Sequence, residues 1–274
     1  MIRYTTSNGN ICSLAASPFD ASVLSNTYLG EGIIVCDSSI TEINNAAFNG
    51  NTTITTVTLP DTITVIWQYA FYDCQNMTSI NIPNSVTRIR ENAFGECRSL
   101  SSITIPNSVT NIHSEAFKDC YSLTSITIPD SIRTIESSTF LGCRSLVDVS
   151  IASSVTSIGR GAFSRCESLT SIVIPDSVVS IGRESFSYCY SLTDVSLGNS
   201  VESIGIEAFR HCSDVSAFEI PSSVTSIYNS SFYDCNTIVF RNHTSIPNIL
   251  TDQYTDVSLS HFPNCYVPDV LYSD

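Results

Sequence analysis

Positive charge is scarce in this sequence. Lys and Arg number 12 against 26 Asp and Glu, a net charge of −14 over 274 residues. A nucleic-acid partner would require a basic stripe to neutralise phosphate, and an anionic lipid surface would require the same, so neither is expected. Long apolar runs are missing too. No stretch reaches eighteen apolar residues, so no membrane insertion is expected. The opening MIRYTTSNGN is polar and lacks the apolar core of a secretory leader, which leads to the expectation of a soluble chain without a signal peptide. There is no C-x-x-C pair, so zinc and thioredoxin-like chemistry have no support. The 4 histidines, His113, His211, His243 and His261, share no metal-ligand spacing. No G-x-S-x-G, phosphate loop or dinucleotide fingerprint occurs. These gaps leave no catalytic residue, metal or cofactor to nominate. The expectation is a protein that is not an enzyme, with catalysis as a remote alternative.

What is present is repetition. Phenylalanine falls at Phe48, Phe71, Phe94, Phe117, Phe140, Phe163, Phe186, Phe209 and Phe232, always 23 residues apart. Three residues after each, from Phe71 onward, stands Cys74, Cys97, Cys120, Cys143, Cys166, Cys189, Cys212 or Cys235. Segments that stack in contact cannot change length cheaply, so a period without slips predicts a solenoid. Within a unit, Leu100, Ile103 and Ile105 follow L-x-x-I-x-I, and the step of two places both isoleucines on one face of a short strand. Pro106 lacks a backbone donor and ends it. Ile158, Ala162, Phe163 and Cys166 are spaced by four, one and three, which predicts a short helical or 3-10 return.

The unit S-L-T-S-I-T-I-P-x-S-V-T-S-I-G-x-x-A-F-x-x-C resembles the BspA-like leucine-rich repeats of bacterial and protozoan surface proteins. A serine column (Ser39, Ser85, Ser108, Ser131, Ser154, Ser177, Ser200, Ser223, with Thr62 as the exception) stands where leucine-rich repeats usually have Asn or Cys. Departures are scattered. Ala152 and Gly198 replace the proline, and Thr139, Ser185 and Ser231 replace the alanine before Phe. The resemblance implies a leucine-rich-repeat superhelix with one short parallel strand and one helical or 3-10 return per coil. Expected boundaries are an N-terminal cap over 1–32, about nine coils over 33–240 and a C-terminal cap over 241–274, because an open stack exposes an apolar cross-section and a strand edge at each end. The piece CYVPDVLYSD is similar to the closing V-P-x-x-L-x-x-Y element of BspA-like proteins.

Eleven cysteines would suggest disulfides, but eight occupy one inward column. Parallel side chains on stacked coils sit about 4.8 Å apart, whereas a disulfide needs Cβ atoms at about 3.8 Å and turned toward each other. A reduced, buried ladder is expected.

Two variable columns carry the information a partner could read. One follows the cysteine: Gln75, Arg98, Tyr121, Arg144, Glu167, Tyr190 and Ser213. The other follows the second isoleucine: Trp67, Arg90, His113, Glu136, Gly159, Gly182, Gly205 and Tyr228. Tyr, Trp and Arg are the residue types that concentrate binding energy at interfaces. The candidates are therefore Arg98, Tyr121, Arg144, Tyr190, Trp67 and Tyr228. The strand face offers a third possibility, a flat array of hydroxyls (Thr78, Ser79, Thr124, Ser125, Thr127, Thr170, Ser171) suited to sugars or backbone, with Asp148, Asp194 and Glu219 making one end acidic.

The resemblance implies adhesion or receptor recognition, with a protein or glycan partner and a cell-surface setting. The alternative is an assembly role, in a surface layer or a virion. The opening, with SNTYLGEGIIVCD, resembles the leaders of gut-bacterial and bacteriophage repeat proteins.

Overall fold

The computed structural model describes residues 1–228, 230–235, 237–240, 248–250 and 265–266. Each coil has three sides. The first is the I-x-I strand, which pairs parallel with its neighbour in register: Ser125–Ile128 lies along Asp148–Ile151, and Ser171–Val173 along Asp194–Ser196. The corner that follows is a turn in which the proline carbonyl accepts a hydrogen bond three residues on, as from Val109 N to Pro106 O at 3.0 Å. Ala152 and Gly198 close the same turn with Val155 and Val201, both at 3.2 Å. The proline therefore ends the strand without being needed for the corner.

The second side is a strand of two or three residues, absent from the sequence expectation of one strand per coil. Glu42–Ile43, Val65–Ile66, Arg88–Ile89 and Asn111–Ile112 form one parallel ladder. Thr134–Ile135, Ser157–Ile158, Ser180–Ile181, Ser203–Ile204 and Ser226–Tyr228 form the next.

The third side corrects the expected helical return. No helix occurs among the described residues. The segment is a pair of consecutive tight turns, closed in the second coil by Ala70 N to Trp67 O (3.2 Å) and Cys74 N to Phe71 O (3.3 Å). The third residue of each turn is left-handed, Tyr69 at φ 57° and Asp73 at φ 57°, as a type II turn requires. An α-helix needs every residue right-handed and every N–H bonded four residues back. Here Tyr69, Phe71 and Asp73 instead donate forward to Glu91, Ala93 and Gly95 of the next coil at 3.1, 2.8 and 2.9 Å. Turns and helix place apolar residues at the same spacing, which is why the pattern misled. Non-glycine residues hold most of these left-handed positions, at about 1–2 kcal/mol each, and the inter-coil bonds offset that strain.

All nine column phenylalanines are buried, and from Phe71 to Phe209 consecutive rings are nearly parallel with centroids 5.2–5.5 Å apart. Parallel rings at that separation are offset, the arrangement aromatic quadrupoles favour. Phe19 from the N-terminal segment adds its ring at 5.9 Å from Phe48 and so covers the near end of the stack.

The N-terminal segment is an antiparallel sheet. Strand β1 (Ile2–Thr6) lies between β3 (Gly32–Cys36) and β5 (Ile54–Thr58), with β2 (Val23–Tyr28) outside β3; β4 is Glu42–Ile43. It thereby occupies the strand edge that the first coil would otherwise expose. Gly32 is required here, because a Cβ would fall 2.0 Å from the Tyr4 ring. Tyr4 is buried and donates through its hydroxyl to Asn26 Oδ1 at 2.5 Å. At the other end, strands Asn248–Leu250 and Cys265–Tyr266 continue the parallel ladders. The rest of the expected C-terminal cap, 241–274, lies outside the described residues.

Candidate functional site

The ten described cysteines are all free, and the eight of the ladder are buried. Each ladder thiol donates to the phenylalanine carbonyl one coil back, from Cys74 to Phe48 (3.2 Å) through to Cys235 to Phe209 (2.9 Å). The sulfur column ties coils together and leaves none of its own thiols at the surface. Serine and threonine do the same elsewhere: Thr62 donates to Ile40 O, Ser131 to Val109 O, Ser154 to Ile132 O and Ser177 to Val155 O at 2.5–2.8 Å. The proposed hydroxyl array is partly consumed in the same way. Thr78 and Thr124 donate to the backbone of the preceding coil at 3.1 and 3.3 Å, as does Thr193 further along at 3.1 Å. The front strands carry Asp148, Asp194 and Glu219, and among the described residues no Lys or Arg.

Three of the six candidate residues come together. The Arg98 and Arg144 guanidiniums lie over the Tyr121 ring at 5.5 and 4.9 Å. Arg98 is also bonded to Glu96 at 2.6 Å, and Arg144 stands 3.7 Å from Glu167. The Arg98 bond pulls the Glu96 carboxyl below its usual range, against the opposing effect of burial, and Tyr72 adds a second bond. The result is a partly solvent-exposed stack of two guanidiniums about one tyrosine, with a carboxylate at each end.

The other three candidates stand apart. Tyr190 is 46% exposed, lies beyond Glu167 in the column, and meets Tyr188 edge-on at 6.0 Å. Tyr228 is 37% exposed near the last described coil. Trp67 sits at the first coils, where its Nε1 donates to Glu42 at 2.7 Å and Arg90 covers its ring at 4.9 Å. Its column is not freely variable throughout, as the sequence suggested. A Cβ on Gly159, Gly182 or Gly205 would fall 2.6–2.8 Å from the backbone of the coil before, so glycine is a packing requirement there.

A second aromatic and cationic cluster escaped the sequence reading. Arg165 and Arg210 flank Tyr188 at 5.3 and 5.8 Å; His211 lies tilted against Tyr188 at 4.9 Å and bonds Asp234 at 2.8 Å; Tyr233 meets Arg210 and His211. Its signal was available: the column two residues after Phe varies through Asp73, Glu96, Asp119, Gly142, Arg165, Tyr188 and His211. A helical reading gives no reason to single out that column, whereas paired turns push it outward.

Among the described residues no group of three or more His, Cys, Asp or Glu could hold a metal ion, and no helix is long and apolar enough to cross a membrane.

A coil of parallel strand, corner, second strand and paired turns, stacked on a 23-residue period, defines a leucine-rich-repeat solenoid. The model of the BspA type leucine rich repeat region matches residues 20–146 and 110–239, in 6 copies, and the chain belongs to that family. It is similar to a leucine-rich repeat protein of Bacteroides ovatus, at 28% identity over 98% of this chain and 70% of that one, with a TM-score of 0.73. A leucine-rich repeat protein of T. pallidum is 31% identical over 64% of this chain and 81% of its own, at a TM-score of 0.56. A leucine-rich repeat protein of Eubacterium ventriosum, 21% identical with a TM-score of 0.55, shares the fold. No curated protein matches. Solenoids of this class generally act as binding scaffolds rather than enzymes, and generally engage other proteins.

Proposed function

We propose that this protein is a non-enzymatic recognition scaffold, serving adhesion or receptor binding, and that it holds its partner along the return-side rim. The observation that carries this is the Arg98–Tyr121–Arg144 stack. It places a tyrosine hydroxyl and two guanidinium edges side by side on coils that cannot slide against each other. Rigid aromatic and arginine groups lose little conformational freedom on binding. The partner is a protein or glycan at the cell surface. Replacing Tyr121, Arg144 and Tyr190 together by Ala should leave the circular dichroism spectrum unchanged and abolish capture of that partner by the immobilised protein. Retained capture removes the rim from the proposal.

A second reading, an assembly component of a surface layer or virion, draws on the N-terminal sheet. Strand β2 is its free edge, and Leu24 and Leu29 are 66% and 96% exposed. Unpaired edges with apolar residues template pairing between chains. Under this reading Leu24→Lys with Leu29→Ser lowers the mass seen by light scattering; a wild type that is monomeric at all concentrations rejects it.

A further inference from the structure

We propose that the cleft between the N-terminal segment and the first coils, walled by Trp67, binds a neutral sugar ring. The cleft has a volume of 500 Å³ and is lined by Ala15, Ala16, Ser17, Glu42, Asn44, Asn45 and Trp67, within the range of small-ligand sites. It lies apart from the Arg98–Tyr121–Arg144 stack and does not rest on the rim reading.

Trp67 is the chain's single tryptophan. Its bond to Glu42 at 2.7 Å fixes the plane of the indole. Arg90, its counterpart one coil later, covers one face. Asn44 is its counterpart one coil earlier, and both residues line the cleft on the side away from Arg90's coil. The facing wall is held in place by Ala15 N to Ala47 O (3.0 Å), Asn44 N to Pro18 O (3.0 Å), Asn44 Nδ2 to Ser17 O (3.1 Å) and Asn51 Nδ2 to Ser13 O (3.1 Å). A site bonded into shape before binding loses little on closing.

The chemistry narrows the occupant. A pyranose presents a face of C–H groups, which suits an indole, and a rim of hydroxyls that need both donors and acceptors. The second Glu42 oxygen accepts, the Asn45 amide does both, and the Ser17 hydroxyl does both. Asn45 is exposed and makes no hydrogen bond within the described residues. Ala15 and Ala16 leave room beside the ring. The Glu42 carboxylate disfavours acidic sugars. Quaternary ammonium recognition uses several aromatic walls, and this cleft has one, backed by the Arg90 cation.

Because Trp67 is alone, intrinsic fluorescence reports on this cleft. Full-length protein is titrated with methyl glucoside, methyl galactoside, methyl mannoside and N-acetylglucosamine, alongside tetramethylammonium chloride and sodium chloride. At least one sugar should change the emission saturably. Asn45→Ala should weaken that sugar about tenfold, the scale of one or two lost hydrogen bonds. Ala16→Leu, on an exposed residue, should fill the cleft and abolish the response. Four flat sugar titrations overturn the proposal. So does an equal response to tetramethylammonium, or an Ala16→Leu protein that binds as tightly as wild type.

Discussion

The sulfur of Cys120 lies 3.2 Å from the carbonyl oxygen of Phe94, one coil back. That carbonyl already accepts the Cys97 amide of its own turn, at 3.2 Å. The thiol supplies the second partner that a buried carbonyl can take. Cysteine at this column is therefore both a small core residue and an inter-coil tie, and its chemistry follows from its burial.

Burial pushes the Cys74 and Cys189 thiols up to about 12. The unfolded thiol ionises at about 8.5. The folded state therefore holds its protons longer, and this contribution is complete below pH 8.5 and lost as pH rises toward the folded value. Unfolding midpoints in urea should fall steadily above about pH 9. Cys120→Ala should flatten that fall at some cost in stability at pH 7. A midpoint that is constant from pH 8 to 11 contradicts it.

The same burial controls reactivity, since the thiolate is the nucleophile. Cys36 is half-buried while the eight ladder cysteines are buried. Iodoacetamide at pH 8 followed by peptide mass spectrometry should label Cys36 ahead of every ladder cysteine. The ladder should label together only in denaturant. Native labelling at Cys143 would mean that the stack opens locally.

Removing the Phe117 ring leaves a void between Phe94 and Phe140, which lie 5.3 and 5.5 Å away. Phe117→Ala should cost about 3–5 kcal/mol. Each coil supports both neighbours, so a loss in the middle interrupts the sum on which a solenoid depends. Urea denaturation should show either the shift or a split into two transitions.

Gly182→Ala places a methyl 2.7 Å from the Gly159 carbonyl carbon and 2.8 Å from Ile158 O. Both contacts are backbone, so neither can rotate away. A loss of about 1–3 kcal/mol is expected. Glu136→Ala, in the same column and already carrying a Cβ, should be near neutral. Equal melting temperatures for the two variants would refute the close stacking.

His113 is held below its ordinary value, first by burial and then by the neighbouring Arg90 guanidinium, whose Nη1 stands 3.4 Å from Nε2. An unfolded histidine titrates at about 6.5. Below that pH the unfolded state binds the proton more readily, so stability from this site is full above pH 6.5 and lost as pH falls through the folded value. Arg90→Gln should raise the His113 titration midpoint seen by NMR. His113→Gln should weaken the acid dependence of unfolding.

Much of the fold was legible because stacking converts one core into a column of identical positions. Phe71 to Phe232 and Cys74 to Cys235 read directly as buried. The paired turns did not, because Ile158, Ala162, Phe163 and Cys166 have the spacing of a helical face whichever backbone carries them. Left-handed Tyr69 or Glu115 gives no sign in its residue type, since neither is a glycine. The candidate site was half legible. Arg98, Tyr121 and Arg144 were found by their columns, whereas Tyr188 and His211 fall in a column that the helical reading gave no reason to inspect.

The amino-acid order alone determined the period, the inward residues and hence the solenoid, because constant length and repeated apolar spacing are properties of a single strand of text. Only the stacked structure decided which hydrogen bonds close the return, which hydroxyls remain for a partner, and that Trp67 meets the N-terminal segment across a cleft. Apart from the local bonds that close each turn, those depend on residues 22 to 26 or more positions apart, and their partners are chosen by where one coil lands upon the next.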